Sequence, residues 1–244
     1  MGLPASRYTH AMRAAFLGLC LLTAVTPAWS DDFNCSTPAV TTTTLGTTPA
    51  LIRVPTRVTK PPIILWHGFG PPNSERALMN ALPLDDVPAV KVYLGLPMFG
   101  SRALADGDLV RRQKKDLGTL VFEPVVMGGA KELHAVVRAL EERGCMRSGA
   151  AIGLFGFSAG GAAVLYALAE SDVRIGAAVT LNASTGLSAS VKAYERATKG
   201  SYEWTDATRR LAHRSDAVSR ANDIAAGAPP PALLIVHGAD DAML

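Results

Sequence analysis

Gly156-Phe157-Ser158-Ala159-Gly160 sets a serine between glycines, with an apolar run before it and the small residues Gly161-Ala162-Ala163 after it. Strand, sharp bend and helix in that order place the serine at the apex of a turn. There φ is driven positive and the hydroxyl is lifted clear of the sheet, where it can act as a nucleophile. Gly156 and Gly160 stand where a Cβ would collide with neighbouring backbone. The helix that opens after the bend aims free N–H groups and partial positive charge at whatever Ser158 attacks. The Ala159 N–H is therefore one candidate donor to a developing oxyanion. In a chain with 22 glycines the pentapeptide alone is a weak signal, and its place between strand and helix gives it weight. The spacing at this bend gives neither G-x-G-x-x-G nor G-x-x-x-x-G-K-[ST], which argues against a phosphate-binding loop.

Two further stretches carry chemistry. Trp66-His67-Gly68-Phe69-Gly70 follows the first strongly apolar strand candidate, and its glycines let backbone approach a carbonyl oxygen closely. His67 in that Gly-rich turn reads as a satisfied structural histidine rather than as a catalyst. His237-Gly238-Ala239-Asp240-Asp241 follows the last strand candidate; Asp-Asp there is also a good turn former. Together GFSAGG, HGFG and HGADD resemble the α/β-hydrolase superfamily, with a similarity running from about Pro62 to the C-terminus. They are most similar to its dienelactone-hydrolase-like and prolyl-oligopeptidase-like branches. Dienelactone hydrolases proper use a cysteine nucleophile, whereas this chain has Ser158. The resemblance implies that Phe69, with Gly70 as the alternative, supplies the second oxyanion N–H. It also implies that Asp241, with Asp240 as its neighbouring alternative, is the carboxylate that orients a histidine.

In that fold the order is serine, acid, histidine. Only Ala242, Met243 and Leu244 follow Asp241, and a further strand, loop and helix of about 25–40 residues would be expected there. The sequence is accordingly read as a C-terminally truncated or poorly active hydrolase. Of the five histidines, His10 lies in the N-terminal segment, His67 and His237 belong to the HG turns, and His134 sits in a helix before the central strand. His213 is the one weighed as a replacement base.

The positioning elements follow an alternation of apolar β-favouring runs and helix-like segments, the mark of a mostly parallel central sheet with helices on both faces. Strands are expected at Leu51–Val54, Ile63–Trp66, Val90–Leu94, Ala150–Phe155, Ile175–Leu181 and Leu233–Val236. Asn73 or Ser74 caps a helix through Leu82. Pro97 opens an irregular loop whose charged stretch, Arg111 to Asp116, reads as solvated surface. Pro124 suits the first turn of a helix with Leu133, Val136, Val137 and Leu140 as its apolar stripe and Gly144 as its stop. Residues 187–226 read as a helical insertion of two or three helices. Tyr194, Tyr202 and Trp204 within it either line an acyl pocket or pack helices onto the sheet. The fold class is thus α/β, of α/β-hydrolase type, with the last strand and helix expected to be missing.

Three regions are expected: 1–30 a signal peptide, 31–61 an extended Thr-rich segment with an edge strand, and 62–244 the hydrolase domain. Arg7, His10 and Arg13 precede the apolar run Ala14 to Val25, and Ala28-Trp29-Ser30 offers small residues for cleavage after Ser30. That run falls short of the ~20 residues that span a bilayer, so a secreted or periplasmic location is expected, without stable membrane insertion. Removal of Arg7 and Arg13 would leave 22 basic residues against 21 acidic, with no electrostatic reason for nucleic acid as a partner. Cys35 and Cys145 either form one disulfide in an oxidising compartment or are unrelated thiols. No metal-ligand spacing or cofactor motif is present, and the Asn34 and Asn182 sequons read as chance matches. The reaction favoured is cleavage of a small or medium carboxylic ester through a Ser158 acyl-enzyme. A prolyl-oligopeptidase-like peptidase and a non-catalytic binding module of the same fold are the rivals.

Overall fold

In a computed structural model, residues 34–241 are described; the signal-peptide segment expected over 1–30 lies outside them. The chain enters through β1 (Ala39–Leu45) and β2 (Thr48–Val54), a hairpin turning at Gly46 with φ +61°. Next come β3 (Ile63–Trp66), α1 (Glu75–Ala81) and β4 (Lys91–Leu94). The Ser74 side chain accepts from the Ala77 N–H at 3.1 Å and caps α1. Helices α2 (Asp108–Leu117), α3 (Gly128–Lys131) and α4 (Leu133–Glu142) lead to β5 (Ile152–Phe157), α5 (Ala159–Glu170) and β6 (Ile175–Leu181). Then α6 (Leu187–Thr198), α7 (Asp206–Ser215) and α8 (Ala221–Ile224) precede β7 (Ala232–Val236).

The seven strands form one sheet in the order β1-β2-β4-β3-β5-β6-β7. Only the first two pairings beside β1 and β2 are antiparallel; β4, β3, β5, β6 and β7 run parallel. This is the α/β-hydrolase type of sheet. Alternation along the strands divides the core. Ile64, Trp66, Val92 and Leu94 face the large cluster beneath α3, α4 and α5, while Leu65 and Tyr93 face Leu78 and Met79 of α1. The four apolar residues Leu233 to Val236 of β7 are exposed among the described residues, Ile235 by 62%. No described helix is long and apolar enough to cross a membrane.

Two segments depart from the sequence expectation. The charged stretch Arg111 to Lys115 is helical, part of α2, its charges on the outer side, and the helix is broken at Asp116, whose backbone is extended (φ −167°, ψ 100°), before Leu117 is buried. Pro124 does not open a helix; it lies inside the π-helical turns of Gly118–Met127. Val121, Phe122, Val125, Val126 and Met127 of that segment are buried, so packing sets its course in spite of a proline that cannot donate to the ladder. Gly144, at φ +68°, does end α4. Cys35 and Cys145 are joined by a disulfide across 110 residues, which ties the entry segment to the turn after α4 and resolves the alternative left open above.

Candidate active site

At the end of β5, Ser158 has φ +52° and ψ −116°, and α5 begins with the next residue. Its N–H is held by the Leu181 carbonyl at 2.9 Å, and its own carbonyl accepts from the Ala162 N–H at 3.1 Å. The glycines around it are required sterically. A Cβ at Gly156 would stand 2.2 Å from the Gly160 oxygen, and one at Gly160 would stand 2.4 Å from the Trp66 oxygen. One at Gly161 would meet the Ala183 Cβ at 2.4 Å. The elbow is therefore clamped between β3's exit loop on one side and β6's exit loop on the other. N–H groups of the first turn of α5 have no carbonyl four residues earlier within the helix, which leaves them available as donors at its N-terminal end beside Ser158.

Gly68 brings the second motif against the nucleophile: a Cβ there would lie 2.9 Å from both the Phe157 ring and the Ser158 Cβ. His67 is fully buried. Its Nε2 accepts from the Leu96 N–H at 3.0 Å, which leaves the proton on Nδ1 to donate to the Gly68 carbonyl at 2.8 Å. Burial holds the imidazole pKa below its ordinary value of 6.5, against smaller opposing effects of the Gly68 hydrogen bond and the Glu75 charge. A neutral ring with both nitrogens engaged is a brace for this loop.

Ser158, Ala159, Phe69, Gly70 and Asp241 line a single cavity of about 430 Å³. Its remaining walls are largely apolar: Leu117, Phe122 and Val126 on one side, Ala193, Tyr194 and Ala197 of α6 on the other. Of the two carboxylates weighed for the acid, Asp241 borders this cavity with its side chain 10% exposed, whereas Asp240 lies exposed outside it. The turn that carries Asp241 is closed by its N–H on the Gly238 carbonyl at 3.1 Å. His237 Nε2 lies 3.9 Å from Asp241 Oδ2 but does not border the cavity.

Other expected residues lie elsewhere. His213 lines a separate cleft with Arg210, Arg214 and Glu123, and His134 pairs with Asp172 at the surface. No histidine among the described residues lines the Ser158 cavity. Of the three aromatics, only Tyr194 is in the cavity wall. Tyr202 donates to Asp116 at 2.6 Å and meets Trp204 edge to face. Burial works to raise the Asp116 carboxyl, and hydrogen bonds from Thr119, Tyr202 and Gly118 outweigh it, leaving the pKa lowered. The Tyr202 hydroxyl is pushed up to about 12 by burial and by that carboxylate. These two residues clasp the start of the wall segment to the loop after α6.

Asn182 is the site residue that sequence reasoning missed. It lines the cavity at φ +47°, accepts the Gly238 N–H on Oδ1 at 3.0 Å, and donates its own N–H to the Val236 carbonyl at 2.9 Å. It thereby pins the Asp241 turn to the end of β6. The available signal was an asparagine, tolerant of left-handed backbone, directly at a strand's C-terminal end.

Residues 128–244 match the prolyl oligopeptidase family. No curated protein matches the chain significantly. Among solved structures, TT1662 from Thermus thermophilus is similar with a TM-score of 0.59 at 16% identity, over 82% of this chain and 89% of that one. An esterase from Pyrococcus furiosus gives 0.52 at 16% identity, over 81% and 67%. A 2,6-dihydroxy-pseudo-oxynicotine hydrolase gives 0.53 at 19% identity, over 84% of this chain and 54% of the other. At such identities these likenesses speak for the fold. The chain has the α/β-hydrolase fold, and its C-terminal part, residues 128–244, matches the prolyl oligopeptidase family.

Proposed function

We propose that this protein is an exported serine hydrolase that cleaves carboxylic esters through an acyl-enzyme on Ser158. The observation that carries the reading is the strained Ser158, at φ +52°, opening into one cavity with Phe69, Ala159 and Asp241. In this mechanism the Ser158 oxygen attacks the ester carbonyl carbon as its proton passes to a general base, which later delivers it to the leaving alkoxide, and the carbonyl oxygen becomes an oxyanion. The N–H groups of Ala159 and Phe69 receive that charge. Collapse expels the alcohol and leaves the acyl group on Ser158, and water then releases the acid. The apolar walls formed by Leu117, Phe122, Val126 and Tyr194 suit an apolar acyl group, and a volume of about 430 Å³ suits a small or medium one. Asp241 is the carboxylate that would hold a histidine base in the right tautomer. The Cys35–Cys145 disulfide supports export, since such bonds persist in oxidising compartments.

A fluorophosphonate probe tests the reading. Covalent labelling of the wild type but not of Ser158→Ala is expected; a folded chain that stays unlabelled would instead favour a binding module. The match to the prolyl oligopeptidase family favours a second reading, a peptidase at the same serine. Comparing p-nitrophenyl esters with proline-containing peptides separates the two.

A further inference from the structure

The geometry points to Phe99 as a positioning residue for the Phe69 amide, through ring stacking on a loop braced by Glu75 and Arg102. This rests on the role given to the Phe69 N–H above.

Phe69 sits between Gly68 and Gly70, so the backbone that would deliver its N–H is flanked by the two most permissive residues. Something other than backbone preference must hold that amide in one direction. The Phe69 ring lies parallel to the Phe99 ring, centroids 5.0 Å apart and planes 7° apart. Phe99 also meets the His67 ring edge-on at 6.0 Å. It is 6% exposed and does not line the Ser158 cavity, so it touches the site only through the loop that it packs against.

The segment presenting Phe99 is built at evident cost. Met98 and Gly100 on either side have φ +70° and +56°. Glu75 is buried; its Oε1 accepts from the Ser101 N–H at 3.2 Å, while its Oε2 has no hydrogen-bond partner. A Cβ at Gly100 would stand 2.0 Å from that Oε2, so the carboxylate is wedged under the turn. Arg102 holds Glu132 with two contacts of 2.6 and 3.0 Å and donates to the Gly95 carbonyl. Leu96, at the start of the same segment, donates to His67. Left-handed backbone, a buried carboxylate and a bidentate ion pair thus converge on a turn without substrate contact of its own. Their common product is a fixed Phe99 ring, and its partner is the candidate oxyanion residue.

The test compares Phe99→Leu, which keeps apolar bulk but removes the stacked face, with Phe99→Tyr, which keeps the ring. Removing a whole oxyanion donor costs about 10²–10³-fold in rate, so a loosened one should cost about 10–100-fold. Phe99→Leu is expected to slow fluorophosphonate labelling of Ser158 by that factor. In the same variant, hydrogen exchange should quicken in the peptide spanning residues 66–70 but not at 159–161. Phe99→Tyr should return both readouts to within about 3-fold of wild type. A merely structural residue would lower the melting temperature without this selective pattern. Labelling by Phe99→Leu at the wild-type rate, or equal slowing in both variants, overturns the proposal. Should wild type itself resist labelling, the serine-hydrolase reading falls on its own, and the exchange pattern still decides the positioning. Phe99→Met carries the same comparison if the leucine variant fails to fold.

Discussion

Gly160→Ala tests the clamp between the elbow and the loop that carries Phe69 most directly. The added Cβ would stand 2.4 Å from the Trp66 oxygen and 2.6 Å from the His67 oxygen. Carbon–oxygen contacts settle near about 3.3 Å, so those two carbonyls must retreat by roughly 1 Å. Both belong to the residues immediately before Gly68 and Phe69, so the retreat carries the Phe69 amide away from Ser158. A misplacement of that size costs about 10²-fold in rate. Forced packing of this kind destabilises by about 1–3 kcal/mol, against which the better helix propensity of alanine returns at most about 1 kcal/mol. With about 2–4 °C per kcal/mol in a domain of this size, the melting temperature should fall by several degrees. Gly128→Ala is the internal control, because a Cβ there would meet only the Glu123 oxygen, at 3.8 Å, and Gly128 does not line the cavity. The assay is the fluorophosphonate labelling rate of both variants beside thermal unfolding. If Gly160→Ala labels and melts like Gly128→Ala, the steric account of the elbow is wrong.

Two other outcomes follow from the same structure. Ala193→Trp, from the α6 wall, should cut hydrolysis of p-nitrophenyl esters progressively more as the acyl chain lengthens, with acetate least affected; a uniform loss across the series would refute the acyl assignment of that wall. His67 is buried with a folded-state pKa below 6.5, so the unfolded chain binds its proton first as pH falls. The stability it contributes is therefore complete above about pH 6.5 and declines as pH drops below that value, by up to about 1.4 kcal/mol per pH unit. Melting temperature measured from pH 7 to 4 should fall less steeply in His67→Gln than in wild type, and parallel curves would contradict the assignment.

The parts of this site that were legible in the sequence are those whose cause is local. The glycine two residues before Ser158 records a collision within one strand–turn–helix unit, with the Gly160 oxygen, and the motif alone anticipates the φ of +52°, whereas Gly160 answers to the Trp66 and His67 carbonyls of another strand's exit. The apolar alternation that buries Ile64 and Trp66 on one face and Leu65 on the other is likewise written in neighbouring residues. Asp241 was legible through the HGADD motif, though its turn depends on Asn182, 59 positions earlier, which the sequence offered only as a chance sequon. The π-helical course through Pro124, the Asp116–Tyr202 clasp and the Phe69–Phe99 stack were not legible. Each is decided by what another segment presents once the chain is folded. Pattern and steric rules act over a few residues and so survive in the linear order. Side-chain partnerships across 30 to 86 residues are chosen by competition for space and hydrogen bonds, and only the packed molecule settles that competition.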